Sequence, residues 1–178
     1  MKSDSKKVAF LLAEDFEDSE MRNPYEAIVK NGHDAVIIGL EKDKELRGKK
    51  GTVSYTTHLS ADEAVAADYA AVIIPGGKSP SHLRESEAVL NFVREADRLD
   101  MPISAICHGP QVLASAGLMR NKTFTSYPGI AEEIAAVDGA VFVDKPVVVD
   151  GNFIMSRTPE DEPMFIEETI RRIGSNAY

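Results

Sequence analysis

"PISAICHGPQVLA", residues 102–114, holds the only cysteine of the chain at the point where a strand pattern gives way to a helical one. Residues 102–107 form a short apolar run of strand type, and Pro110 is a residue that helices accept in their first turn, so a helix is expected from Pro110 to about Ala116. A strand that becomes a helix this quickly strains the backbone of the residue between them. Side chains two positions before and after that residue would collide, and here those positions are Ala105 and Gly109. Small, any, Cys107, any, Gly is the form of a nucleophile elbow. Its consequence is electrostatic. The sulfur lies at the amino end of a helix whose unpaired N–H groups favour a thiolate, so a lowered thiol pKa is expected. The opposing reading, a lone cysteine acting as a small buried hydrophobe, gives way because of this position.

Outward from the elbow, short aliphatic runs alternate with helical patterns, as in a parallel sheet covered by helices on both faces. Strands are expected at 7–13, 34–40, 69–77 and 102–107, with a helix over 20–31 and one long amphipathic helix from Ser81 to Asp100. Residues 50–60 alternate and predict a small hairpin or edge excursion, after which Ser60 and Glu63 form a capping box for a short helix. Strand patterns recur at 122–126 and in "AVFVD", separated by a helix over 129–137. Residues 146–157 predict two strands joined by a type I′ turn at Asp150-Gly151. Thr158 and Pro159 open a last helix ending near Ile173. With no repeat, linker or low-complexity tract, the expectation is a solvated tail over 1–5 and a single α/β domain over 6–178.

The 178 residues suffice for one core, and the formal charge of -9 without a basic, aromatic-rich face argues against a nucleic-acid partner. The apolar run "VAFLLA" is too short for a membrane span or a signal-peptide core. One cysteine excludes an internal disulfide, and four scattered histidines lack ligand spacing, so no metal or other cofactor is expected and a cytoplasmic location is.

The partners of Cys107 follow by elimination. No histidine lies beyond His108, so the chain order of α/β-hydrolases is absent, and an imidazole base would be His108 or His82; His33 and His58 read as structural surface residues. Three strand ends carry unusual chemistry: "EDFEDSE" (14–20), "PGGKSPSH" (75–82) and Cys107. Glu14, Asp15, Asp18 and Glu20 read as a solvated loop and helix start, although one carboxyl of the run could face the thiol. A close carboxylate–thiolate pair would raise both pKa values, whereas a protonated glutamate donating to sulfur would stabilise the thiolate. Gly76 and Gly77 allow backbone N–H groups close to a substrate, and with the N–H of His108 they would form an oxyanion hole.

"AICHGPQVLASAGL" (105–118), "PGGKSP" (75–80), "TSYPGI" (125–130) and "VVVDGNFIMSRTPED" (147–161) together resemble the PfpI family of the ThiJ/PfpI superfamily. The resemblance implies a three-layer, mostly parallel flavodoxin-like sandwich with an elbow of the glutamine-amidotransferase type, assembled as a homodimer or homohexamer. It places the family's glutamate at Glu17, the oxyanion donors at Gly77 and His108, and a pocket residue at Tyr127, whose plainer reading is a half-buried turn aromatic. The acidic residue with which protease-like members complete a triad across subunits corresponds to Ser81, which cannot supply that charge. Three functions are therefore carried forward. The first is a stress-protective enzyme acting on dicarbonyls such as methylglyoxal or their protein adducts, with Cys107 as nucleophile and Glu17 and His108 moving protons. The second is a cysteine peptidase built between subunits, and the third a redox sensor or protective binder that is not an enzyme.

Overall fold

The alternation of side chains along β1 (Lys7–Leu11) sets the layers: Val8 and Phe10 face one side of the sheet, Ala9 and Leu11 the other, and all four are buried. A strand apolar on both faces needs cover on both faces. In this computed structural model, which describes residues 6–174, that cover is complete; the tail expected over 1–5 lies outside the described residues. Helices α1 (Asp18–Lys30) and α6 (Glu162–Ile173) pack Met21, Ile28, Phe165 and Ile173 against the Phe10 face. Helices α3 (Glu87–Arg98), α4 (Pro110–Ser115) and α5 (Ala131–Ala135) pack Val89, Phe92, Val93, Leu113 and Ile134 against the Leu11 face. Each such large side chain contributes about 1.5–3 kcal/mol on burial.

The seven strands lie in the order β10-β11-β7-β6-β1-β2-β5, where β2 is Asp34–Gly39, β5 Leu59–Ser60, β6 Ala71–Ile74, β7 Ile103–Ile106, β10 Val148–Asp150 and β11 Phe153–Ser156. Every neighbouring pair is parallel except β10 with β11 at the edge. This is the three-layer α/β sandwich expected. The chain runs from β1 outward through β2 to β5, then returns to lay β6 on the other side of β1. The reversal opens a crevice at the carboxyl ends of β1 and β6, where open α/β sheets bind ligands.

Several elements differ from expectation. The hairpin begins earlier than residue 50, pairing β3 (Glu45–Arg47) with β4 (Ser54–Thr56), and β5 leaves it to join the main sheet. The helix expected after Ser60 is replaced by turns and a short 3-10 segment, Ala66–Asp68. The Ser60 hydroxyl donates to the Asp62 and Glu63 carboxylates, so its oxygen is not spent capping a helical N–H. The long helix over 81–100 is two, α2 (Ser79–Leu83) and α3, because the Ser86 hydroxyl accepts from Val89 N–H and starts a new helix. Residues 129–137 shrink to a 3-10 turn, Pro128–Ile130, followed by α5. Among the described residues β8 (Thr123–Phe124) pairs with β9 (Val141–Phe142) alone, outside the main sheet. In the last hairpin Asp150 pairs with Phe153, so the turn is Gly151-Asn152. Of these two only Gly151 has a positive φ, which is the pattern of type II′ and not I′.

Candidate active site

β7 ends at Ile106, and Cys107 has φ 63°, the strained left-handed conformation that the elbow requires. Its neighbours hold it there: Cys107 N–H donates to Ser156 O at 3.0 Å, and Cys107 O accepts from Tyr127 N–H at 2.9 Å. Gly109 cannot be replaced without strain, since a Cβ there would lie 2.6 Å from Ile74 O. Cys107 is 7% exposed, and its sulfur receives the backbone N–H groups of Gly77 and His108 and lies 3.4 Å from His108 Nδ1. The imidazole stacks on Tyr127 with ring centroids 4.7 Å apart.

The acidic segment after β1 is mostly not a solvated loop. Asp18 is buried and accepts from Lys50 N–H, Thr52 N–H and the Thr52 hydroxyl, which ties the tip of the β3–β4 hairpin to α1. Glu14 accepts from Arg47 N–H on the same hairpin. Glu17 is the N-cap residue of α1, but its carboxylate turns to Lys49 Nζ at 2.9 Å and Lys50 Nζ at 2.7 Å. Glu20 is fully buried, and its Oε1 accepts from Gly76 N–H at 2.8 Å. A Cβ on Gly76 would stand 2.5 Å from Glu20 Oε1 and 2.8 Å from Cys107 Cβ, so the missing methyl group is what lets Glu20 approach the cysteine. The carboxyl brought to the sulfur is therefore Glu20; the side chain of Glu17 is held by the lysines.

Electrostatics separates the two glutamates. Burial works to raise Glu17, but the bonds from Lys50 and Lys49 outweigh it and hold it below the usual carboxylate range. It remains an anion without a proton to give. Burial raises Glu20 to about 8, helped by the charges of Glu17 and Glu162 and opposed by Gly76 N–H and Lys49. Burial and then Glu20 push the Cys107 thiol up to about 12, against the N–H groups of Gly77 and His108 and the charge of Lys49. The expected low thiol pKa is thus corrected: the end of a helix as short as α4 does not outweigh desolvation plus a facing carboxyl. Two anions side by side in a buried pocket oppose each other, so the pair does not give up both protons near neutrality. His108 is lowered by burial and by Lys49, which favours the neutral form of the imidazole next to the sulfur.

Residues 6–172 match the model of the DJ-1/PfpI family. The chain belongs to this family. It is 40% identical over 172 residues to protein/nucleic acid deglycase 2 of Escherichia coli strain K12, covering 96% of this chain and 99% of that protein. It is 36% identical over 165 residues to deglycase PfpI of Pyrococcus furiosus, covering 93% and 98%. Among solved structures it superposes with TM-score 0.94 and 34% identity on a two-domain protein of Anabaena variabilis with DJ-1/ThiJ/PfpI-like and ferritin-like domains, covering 97% of this chain and 49% of that one.

The remaining candidates of this DJ-1/PfpI chain lie elsewhere. His82, on α2, lines a separate cavity of about 220 Å³ with Leu12, Ala13, Leu40 and Leu46. His58 Nδ1 accepts from Ile37 N–H, and His33 Nδ1 accepts from Lys6 N–H; His33 is buried, not a surface residue as expected. The Ser81 hydroxyl donates to Lys78 O. The structure brings Gly76, Gly77, Cys107, His108 and Tyr127 together, and to them adds Glu20, which in the sequence reads as part of a solvated helix start, and Lys49. Glu20 carried a readable signal in its helical spacing with Pro24 and Ile28, all three buried on α1. Lys49 carried none, because only the folded hairpin brings it to the site.

Proposed function

We propose that this DJ-1/PfpI chain is a cytoplasmic, stress-protective enzyme of the glyoxalase or deglycase type, acting through Cys107 on dicarbonyls such as methylglyoxal or on their early adducts. The observation that carries this reading is the sulfur itself, met by a neutral imidazole at 3.4 Å and by two backbone N–H groups. A thiol pushed up by burial needs a base at the moment of attack, and His108 Nδ1 is that base. As the S–C bond forms at the aldehyde carbon, the thiol proton passes to Nδ1. The carbonyl electron pair moves onto oxygen, where the N–H groups of Gly77 and His108 hold it.

Glu20, still protonated near neutrality, donates its proton to that oxygen and closes the hemithioacetal. As a carboxylate it then moves the carbon-bound proton to the neighbouring carbon, while the hydroxyl proton passes to the second oxygen. The thioester so formed is hydrolysed by water to a 2-hydroxy acid and free thiol, and the proton on His108 returns to Glu20. From an amine adduct the same hemithioacetal arises as the C–N bond breaks and the amine leaves with the proton from His108. Glu17, which the family resemblance offers as the proton carrier, instead positions Lys49.

Residues 6–178 as one domain, and assembly into a homodimer or homohexamer, belong to this reading. A peptidase has less support, since Ser81 carries no charge and spends its hydroxyl on Lys78 O. The test is methylglyoxal consumption by purified protein. Cys107→Ser is expected to abolish it, and a variant that consumes methylglyoxal at the wild-type rate overturns the proposal.

A further inference from the structure

A second buried carboxyl bears on Glu20 through its charge. Glu162 is the first residue of α6 and is 5% exposed. Its Oε2 accepts from the Ser19 hydroxyl at 2.5 Å and its Oε1 from Asn23 Nδ2 at 2.6 Å. Ser19 precedes Glu20, and Asn23 follows it by one helical turn, so the clamp that holds Glu162 straddles Glu20 on α1. Both oxygens are hydrogen-bonded, and the first turn of α6 offers the positive end of its dipole, so Glu162 has the partners a carboxylate needs.

Glu20 does not. Its Oε1 has one donor, Gly76 N–H, and its Oε2 is buried with no hydrogen-bond partner among the described residues. The charge of Glu162 opposes a second negative charge on Glu20, whose unmet oxygen favours the protonated form.

We propose that Glu162 is a positioning residue for the nucleophile: clamped by Ser19 and Asn23, its carboxylate keeps Glu20 in the proton-bearing form, and so spares Cys107 a facing negative charge. This rests on the reading of Glu20 as the partner of the sulfur. The charged or polar groups facing Glu20 are Gly76 N–H from the loop after β6, Glu17 at the start of α1, Glu162 from α6, Lys49 from the β3–β4 hairpin and Cys107 at the elbow. Of these, Glu162 is an anion that acts on Glu20 and is not among the main influences on Cys107.

Because the chain has a single cysteine, the rate of alkylation by iodoacetamide against pH reports on Cys107 alone. In the wild type, ionisation of Glu20 appears as an inflection in that profile. Glu162→Gln removes the charge and keeps an oxygen for Asn23 and an N–H group for the Ser19 hydroxyl. It is expected to move the inflection down by about half a unit to one unit. It should also slow alkylation at pH 7.5 by roughly 1.5–3-fold. Glu162→Leu, which fills the space with hydrocarbon, is expected to do the same and serves if the amide fails to fold. In a Glu20→Gln background neither substitution should change the profile. An inflection unmoved in Glu162→Gln and Glu162→Leu, or an equal effect with and without Glu20, overturns the proposal. A Glu20→Gln profile identical to wild type sinks the underlying pairing of Glu20 with the sulfur, and this proposal with it; a clear Glu20→Gln effect beside silent Glu162 variants sinks this proposal alone.

Discussion

Glu20→Gln should change how stability depends on pH. In the folded chain Glu20 holds its proton to about 8, against an ordinary value of 4.5. Between those two values the native state binds a proton that the unfolded state has released, so stability falls as pH rises through the window. The difference, 8 less 4.5, is worth roughly 5 kcal/mol in total at 1.36 kcal/mol per unit, and roughly 4 kcal/mol of it is lost between pH 5 and pH 8. Glutamine does not titrate and escapes this loss. It keeps the Gly76 bond through its amide oxygen, but its NH₂ lies where Oε2 now has no partner, an offset of about 1–3 kcal/mol that does not vary with pH.

The observable is therefore the slope and not the absolute stability. Urea unfolding at pH 5, 6, 7 and 8 is expected to show the variant gaining on the wild type by roughly 4 kcal/mol across the series. Curves that stay parallel within 1 kcal/mol would show that Glu20 is ionised in the native state, and the account of the sulfur's surroundings would fall with it. The same substitution removes the proton donor to the oxyanion, with an expected loss of about 10²-fold in methylglyoxal turnover. A change that relieves a loss of stability with rising pH while costing activity is the mark of a group kept for function.

Lys49→Met should slow alkylation of Cys107 by the anion iodoacetate more than by neutral iodoacetamide, by about 3–10-fold in the ratio, because Lys49 is the cation that acts on Cys107 and His108 together; an unchanged ratio refutes this. Gly77→Ala should lower unfolding free energy by about 2–4 kcal/mol, since a Cβ there meets Glu17 N at 2.4 Å at φ 80°, whereas Gly117→Ala, at φ 81° with open space around it, should cost only about 1 kcal/mol. Asp18→Ala removes three hydrogen bonds that pin the hairpin tip, so limited proteolysis with trypsin is expected to cut after Lys49 or Lys50 at least several-fold faster than in the wild type.

Much of the architecture was legible because its causes are local. Ala105, Cys107 and Gly109 announce the elbow through a steric requirement that spans five residues, and β1 declares its two buried faces by being apolar throughout. The break between α2 and α3 was also written locally, in Ser86 three residues before Val89, but the apolar period running through it masked the cap. The long sequence motifs carried the family and the glycine loop for the same reason, since each closes on itself over a few residues.

What was not legible is which acid does what, and there the reason is geometric. In "EDFEDSE" the motif aligned Glu17 with a functional position, while helical period decides which side chain faces the sheet, and that stripe runs Glu20, Pro24, Ile28. The protonation of Glu20 then depends on residues distant in sequence: Gly76 from the loop after β6, Lys49 from a hairpin and Glu162 from the last helix. Lone cysteines at elbows are usually argued from the helix end beneath them. Here α4 contributes less than the carboxyl opposite, so the charge on sulfur is governed by whether Glu20 keeps a proton, and a reading confined to residues 102–114 would assign the wrong ionisation state to the right nucleophile.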